Sequence, residues 1–158
     1  PMHKAISATL SALALSLPAL VLADAGHGPE LGKPGDPKKV SRTIEITSGD
    51  DMRYRPSEII VKRGETVRFA VRNAGQVPHE LVLGSLKELK AHAELMRKHP
   101  GMEHEEPNQA FVKPGETREI VWQFTRAGTL DFACTIPGHF EAGMTGKVVV
   151  SARRPYSG

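Results

Sequence analysis

Apolar and polar positions alternate in short runs along most of the chain, and this two-residue period predicts β-strands. Within residues 43–47, Ile44 and Ile46 fall on one face. Ile59, Ile60 and Val61 form a second apolar run, which Lys62-Arg63-Gly64-Glu65 ends as a turn. Val67, Phe69 and Val71 alternate in the next strand, and residues 80–83 make another that stops at Gly84. After the turn Lys113-Pro114-Gly115-Glu116 the pattern resumes at 120–124, turns at Ala127-Gly128 into 130–134, and closes with 147–150. About seven short strands separated by turns predict an all-β sandwich or barrel.

One segment breaks the alternation. In residues 85–99, Leu86, Leu89, Ala93 and Met96 recur at helical spacing. Ser85 and Glu88 match a capping box, which satisfies the first free amides of a helix. Pro100-Gly101 stops the run. The pattern thus predicts one helix inserted between two strands.

Composition narrows the chemistry. With 158 residues, 39% hydrophobic and 25% charged, the chain reads as one soluble domain with a core of its own. Cys134 is the sole cysteine, so no internal disulfide forms, and the thiol is inert, reactive or a metal ligand. The net charge of +3 is small and its signs are interspersed. Two Tyr and one Trp supply no set of aromatics for stacking bases, which argues against a nucleic-acid partner.

Residues 1–25 read as a secretory signal peptide. His3 and Lys4 precede an apolar run over 5–22, and small residues offer cleavage before Asp24 or before Gly26. The run is also long enough for an uncleaved membrane anchor. Pro18, the Ser and Thr residues and the cleavage sites favour removal. The expected product is periplasmic, with no stable membrane association. No twin-arginine pair is present, which points to the general secretory route. Residues 26–40, rich in Gly, Pro, Asp and Lys, are expected to be a flexible tail. The folded domain is expected over 41–152, with a short C-terminal tail at 153–158.

The segment Cys134-Thr-Ile-Pro-Gly-His139-Phe-Glu-Ala-Gly-Met144 carries the clearest chemistry. Its Cys, His and Met are evenly spaced on one loop between two expected strands. Pro137, Gly138 and Gly143 allow that loop to turn tightly. His79, just before a strand, is the best candidate for a fourth ligand. Two imidazoles, a thiolate and a weak axial thioether are the donor set of a type 1 copper site. Each residue has a plainer reading: Cys134 as a small buried hydrophobe, His79 as a surface residue, Met144 as core. Cys134 with His139 also has the makings of a nucleophile and its base, although nothing marks an orienting residue or an oxyanion site.

An upstream His followed by a Cys–His–Met loop before the last strand resembles the cupredoxin family, which includes plastocyanin, azurin, pseudoazurin and auracyanin. The stretch from Arg55-Pro56-Ser57-Glu58 to Thr66-Val67 resembles the family's early hairpin. The helical insert, with the run from Glu94 through His104, and the run from Ile136 to Met144 are similar to the periplasmic copper-tolerance cupredoxins of proteobacteria. The resemblance implies a Greek-key β-sandwich with one inserted helix, one copper held by His79, Cys134, His139 and Met144, and no enzymatic activity. It further implies a role in copper tolerance, with one-electron transfer between redox partner proteins as the alternative. Multicopper oxidases and copper nitrite reductases use the same domain, but need a second copper centre and further His pairs that this chain lacks. Many electron-transfer members carry Asn directly after the first histidine; here Glu80 stands there, which changes the hydrogen bonding open to the ligand loop.

A second cluster of ligand-type residues lies outside that loop. His92, Met96 and His99 are spaced to share one helix face, and Met102 and His104 follow. Together they form a candidate second copper site. His27 adds another imidazole in the expected tail. The alternative is that Met96 packs into the core and the histidines sit on a solvated helix.

Overall fold

A computed structural model describes residues 31–102 and 105–152 of the chain. The expected signal peptide, His27, His104 and the C-terminal tail lie outside the described residues. The strands are β1 (Gly32–Pro34), β2 (Arg42–Gly49), β3 (Arg53–Arg55), β4 (Glu58–Lys62), β5 (Thr66–Asn73) and β6 (His79–Gly84). Helix α1 (Leu86–Lys98) follows, then β7 (Gln109–Val112), β8 (Thr117–Phe124), β9 (Gly128–Ala133) and β10 (Thr145–Ser151).

Two five-stranded sheets face each other, in the orders β1-β8-β5-β2-β3 and β4-β10-β9-β6-β7. The chain crosses repeatedly between them, and these crossings make the pairs β2–β5 and β4–β10 parallel while the others are antiparallel. This is the β-sandwich with one inserted helix that the pattern and the resemblance led us to expect. The core between the sheets holds Phe69, Trp122, Phe124, Phe132, Ile46, Leu81 and Leu130, all essentially buried. Alternation is clean where one face of a strand is wet, as in β4, where Ile59 and Val61 are buried and Ile60 is exposed.

Strand β6 is buried along its whole length. One side faces the core, and α1 covers the other through a small cluster of Val82, Leu89 and Ala133, with Phe140 packed against it. The capping box forms as expected: Ser85 Oγ accepts from the Glu88 amide, and the Glu88 carboxylate accepts from the Ser85 amide at 2.8 Å. Leu89, Ala93 and Met96 are buried, whereas Leu86 is exposed.

The expected flexible tail needs correction at its C-terminal end. Gly32–Pro34 pairs with β8, and Pro37–Lys39 forms a turn of 3₁₀-helix capped by Asp36. A Cβ on Gly32 would stand 2.2 Å from Trp122 Nε1, so glycine is what lets this strand close over the indole. The strand count also exceeds the expectation. β1, β3 and β7 were not anticipated, and all three are short sheet edges.

Candidate metal centre

Three strand ends meet at one pole of the sandwich. His79 opens β6, Cys134 follows directly on β9, and Met144 directly precedes β10. β9 pairs with both β6 and β10, so the sheet itself sets the relative places of these residues. The loop between Cys134 and Met144 is tied internally. The Cys134 amide donates to Met144 O, and the Met144 amide to His139 O, both at 3.1 Å. Gly138 and Gly143 take φ of 90° and 89°, a region that favours glycine. From the neighbouring sheet, Arg53 Nη1 donates to Ala142 O at 2.9 Å.

Among the described residues, His79, Cys134 and His139 form the one cluster of His, Cys, Asp or Glu donors suited to a metal, with ligand atoms all within 4.8 Å of one another. Cys134 Sγ lies 3.3 Å from His139 Nδ1, and the two imidazoles stand 5.2 Å apart at 52°. His79, Cys134 and Met144 are buried, and His139 is partly exposed. His79 Nδ1 is buried without a hydrogen-bond partner. An orphaned imidazole nitrogen beside a buried thiol is costly unless something occupies the space between them. The donor set fits copper, for which thiolate and imidazole are both good ligands.

The electrostatics agree with that fit. Burial, reinforced by the nearby His79, pushes the His139 pKa down and favours the neutral ring that a metal needs. Burial pushes the Cys134 thiol up to about 12, so without a cation it keeps its proton. Metal binding there must expel that proton.

Supporting contacts come from residues that spacing did not single out. The Glu80 amide donates to Cys134 Sγ at 3.3 Å. The buried Glu80 carboxylate accepts from the Thr135 amide at 3.3 Å and from the Thr135 hydroxyl. Tyr54, from the opposite sheet, donates its hydroxyl to Glu80 O. Asn73 Nδ2 holds the approach to His79 by donating to Val77 O and Val112 O, at 2.8 and 2.9 Å. Glu80 therefore ties the strand that carries His79 to the start of the ligand loop. Glu80→Ala strips both Thr135 donors of their acceptor and is expected to destabilise the metal-free protein by about 1–3 kcal/mol. Urea unfolding measures it, and Glu80→Gln, which keeps an acceptor, should recover most of the loss.

The candidate second cluster is less convergent. Met96 is buried, His92 half-buried, and His99 and Met102 exposed. The face that His92, Met96 and His99 were expected to share is thus turned inward at Met96 and outward at His99. Met96 and Met102 both line an open cleft of about 560 Å³ that reaches Ile136, Pro137 and His139.

Comparison with known proteins gives a consistent picture. Residues 40–151 match the family described as copper binding proteins of the plastocyanin/azurin family. A copper-resistant cuproprotein, CopI, of Rubrivivax gelatinosus is 56% identical over 119 residues, covering 75% of this chain and 72% of its own. The protein of the same description from Pseudomonas aeruginosa is 35% identical, over 94% of this chain and 97% of its own. The dithionite-reduced auracyanin of Roseiflexus castenholzii superposes with a TM-score of 0.60 at 27% identity, over 71% of this chain and 98% of that one. A match over most of the chain, a shared sandwich and a buried His–Cys–His cluster lead to one assignment: the chain belongs to the plastocyanin/azurin family of copper-binding proteins, the cupredoxins.

Proposed function

We propose that His79, Cys134, His139 and Met144 hold a single type 1 copper, and that the chain is an exported, periplasmic protein of copper tolerance. The observation that carries the site is the buried His79–Cys134–His139 cluster with its orphaned His79 Nδ1. Met144 joins it because its backbone is bonded to those of both Cys134 and His139, and its side chain is fully buried. Copper held there supplies one-electron exchange. The thiolate and thioether suit Cu(I), and the imidazoles serve both oxidation states. The fold fixes the donors from three strand ends, so they need move little when the charge at the site changes.

Tolerance is supported by the two relatives described as copper-resistant cuproproteins. Export is supported by the pattern of residues 1–25. We assign binding or electron exchange to this chain, not catalysis. One observation favours the second reading, a one-electron carrier. His139 is partly exposed at the site's rim, with the exposed Val77 and Pro137 and the half-buried Ile136 and Phe140 nearby, an apolar face suited to a redox partner.

Deleting the gene in the native host separates the two. Copper tolerance requires growth to fail at copper levels the parent survives, and to recover with wild-type protein but not with Cys134→Ser. Normal growth in copper together with a lost respiratory or photosynthetic activity would instead establish the carrier.

A further inference from the structure

His79 has a partner on its outer side that the ligand loop does not supply. Asp50 lies in the turn between β2 and β3, and its Oδ1 stands 3.0 Å from His79 Nε2. The carboxylate is held in place. Its Oδ2 accepts from the Gln76 amide at 2.6 Å, and Oδ1 also faces the Val77 amide at 3.4 Å. The loop closes tightly over it, since a Cβ on Gly75 would stand 1.9 Å from Oδ1. Asp50 thus bridges the 75–77 loop and the imidazole, with its own side chain 39% exposed against 1% for His79.

The two nitrogens of His79 are therefore in opposite situations. Nε2 meets a carboxylate that can only accept, so that nitrogen carries the proton. Nδ1 is buried and has no hydrogen-bond partner, which leaves it as the nitrogen open to a metal shared with Cys134 and His139. A carboxylate behind a ligating imidazole fixes its tautomer and raises its basicity. It also places a negative charge directly behind a proposed ligand, 3.0 Å from its outer nitrogen and only partly exposed to solvent.

We propose that Asp50 is the positioning and potential-setting residue of the site: it locks His79 in the Nε2–H form and favours Cu(II) over Cu(I), lowering the reduction potential. This rests on the four-ligand reading above. Nothing in the ligand loop predicts it, because Asp50 is remote in sequence from every proposed ligand. Removing its charge should weaken the preference for Cu(II) about tenfold, a rise of about 59 mV for a one-electron couple.

Asp50→Asn is the variant that tests this, since the amide matches the carboxylate in size, keeps one acceptor oxygen for the Gln76 amide or for His79, and removes the charge. Copper-loaded wild type and variant are titrated by spectroelectrochemistry on the thiolate-to-copper band. The expected result is an intact band and a raised potential. An unchanged potential with the band intact would overturn the proposal. A wild type that shows no band refutes the four-ligand reading instead, so the two failures are distinct. Long-range proton–nitrogen correlation on the metal-free wild type needs no variant. It should show His79 protonated at Nε2, and a proton on Nδ1 would overturn the assignment even if Asp50→Asn failed to fold.

Discussion

Phe132→Ala is expected to destabilise the protein by about 3–5 kcal/mol, the range for deleting a fully buried phenyl ring from a packed core. Phe132 lies on β9, is completely buried, and stacks edge-on against Tyr54 of the other sheet, with centroids 5.2 Å apart at 67°. It also faces Gly146 on β10, where a Cβ would stand 2.2 Å from the ring. The ring thus fills space bounded on two sides by Tyr54 and by Gly146. The loss has a second consequence. Tyr54 holds Glu80 O, Glu80 holds Thr135 and the Cys134 sulfur, and a Tyr54 free to shift loosens that chain of contacts. Denaturant unfolding of the metal-free protein gives the first number, and a melting temperature lower by roughly 10–20 °C accompanies it. A loss below about 1 kcal/mol would mean that the core collapses onto the cavity and that the ring does not brace the two sheets.

The parts of the molecule visible in the sequence are those whose cause is local. Val67, Phe69 and Val71 alternate because β5 lies inside its sheet with one face on the core. Helix α1 announces itself through Ser85 and Glu88, whose mutual hydrogen bonds span only three residues. Cys134, His139 and Met144 are readable together because one loop carries them.

What could not be read has non-local causes. β1, β3 and β7 sit on sheet edges, where short strands with charged or small residues are tolerated and the alternation fades. Gly32 looks like part of a Gly- and Pro-rich tail until Trp122, ninety residues away in sequence, is seen beneath it. Glu80 reads as a departure from the Asn of many electron-transfer members, and only the contact with Thr135 shows that it latches the ligand loop. Asp50 is the extreme case. It stands in an ordinary Gly-Asp-Asp turn, and its bond to His79 exists only because β2 and β6 end at the same pole of the sandwich.

The largest effect on the site is expected from Cys134→Ser. The thiol is buried, accepts from the Glu80 amide, and stands 3.3 Å from His139 Nδ1. Serine is smaller by little and still accepts from that amide, so the fold should survive. Its hydroxyl is a hard donor that stays protonated, and it cannot supply the soft thiolate that the proposed site calls for. The intense visible absorption of a copper–thiolate pair depends on that sulfur alone, whereas weak copper bands require only nitrogen or oxygen donors. The decisive measurement is the visible spectrum of the protein from Asp24 onward after adding Cu(II), beside the same spectrum of Cys134→Ser. An intense charge-transfer band in the wild type that is absent from the folded variant is the predicted result. Weak and matching spectra for the two would show that Cys134 holds no copper and would contradict the account at its centre.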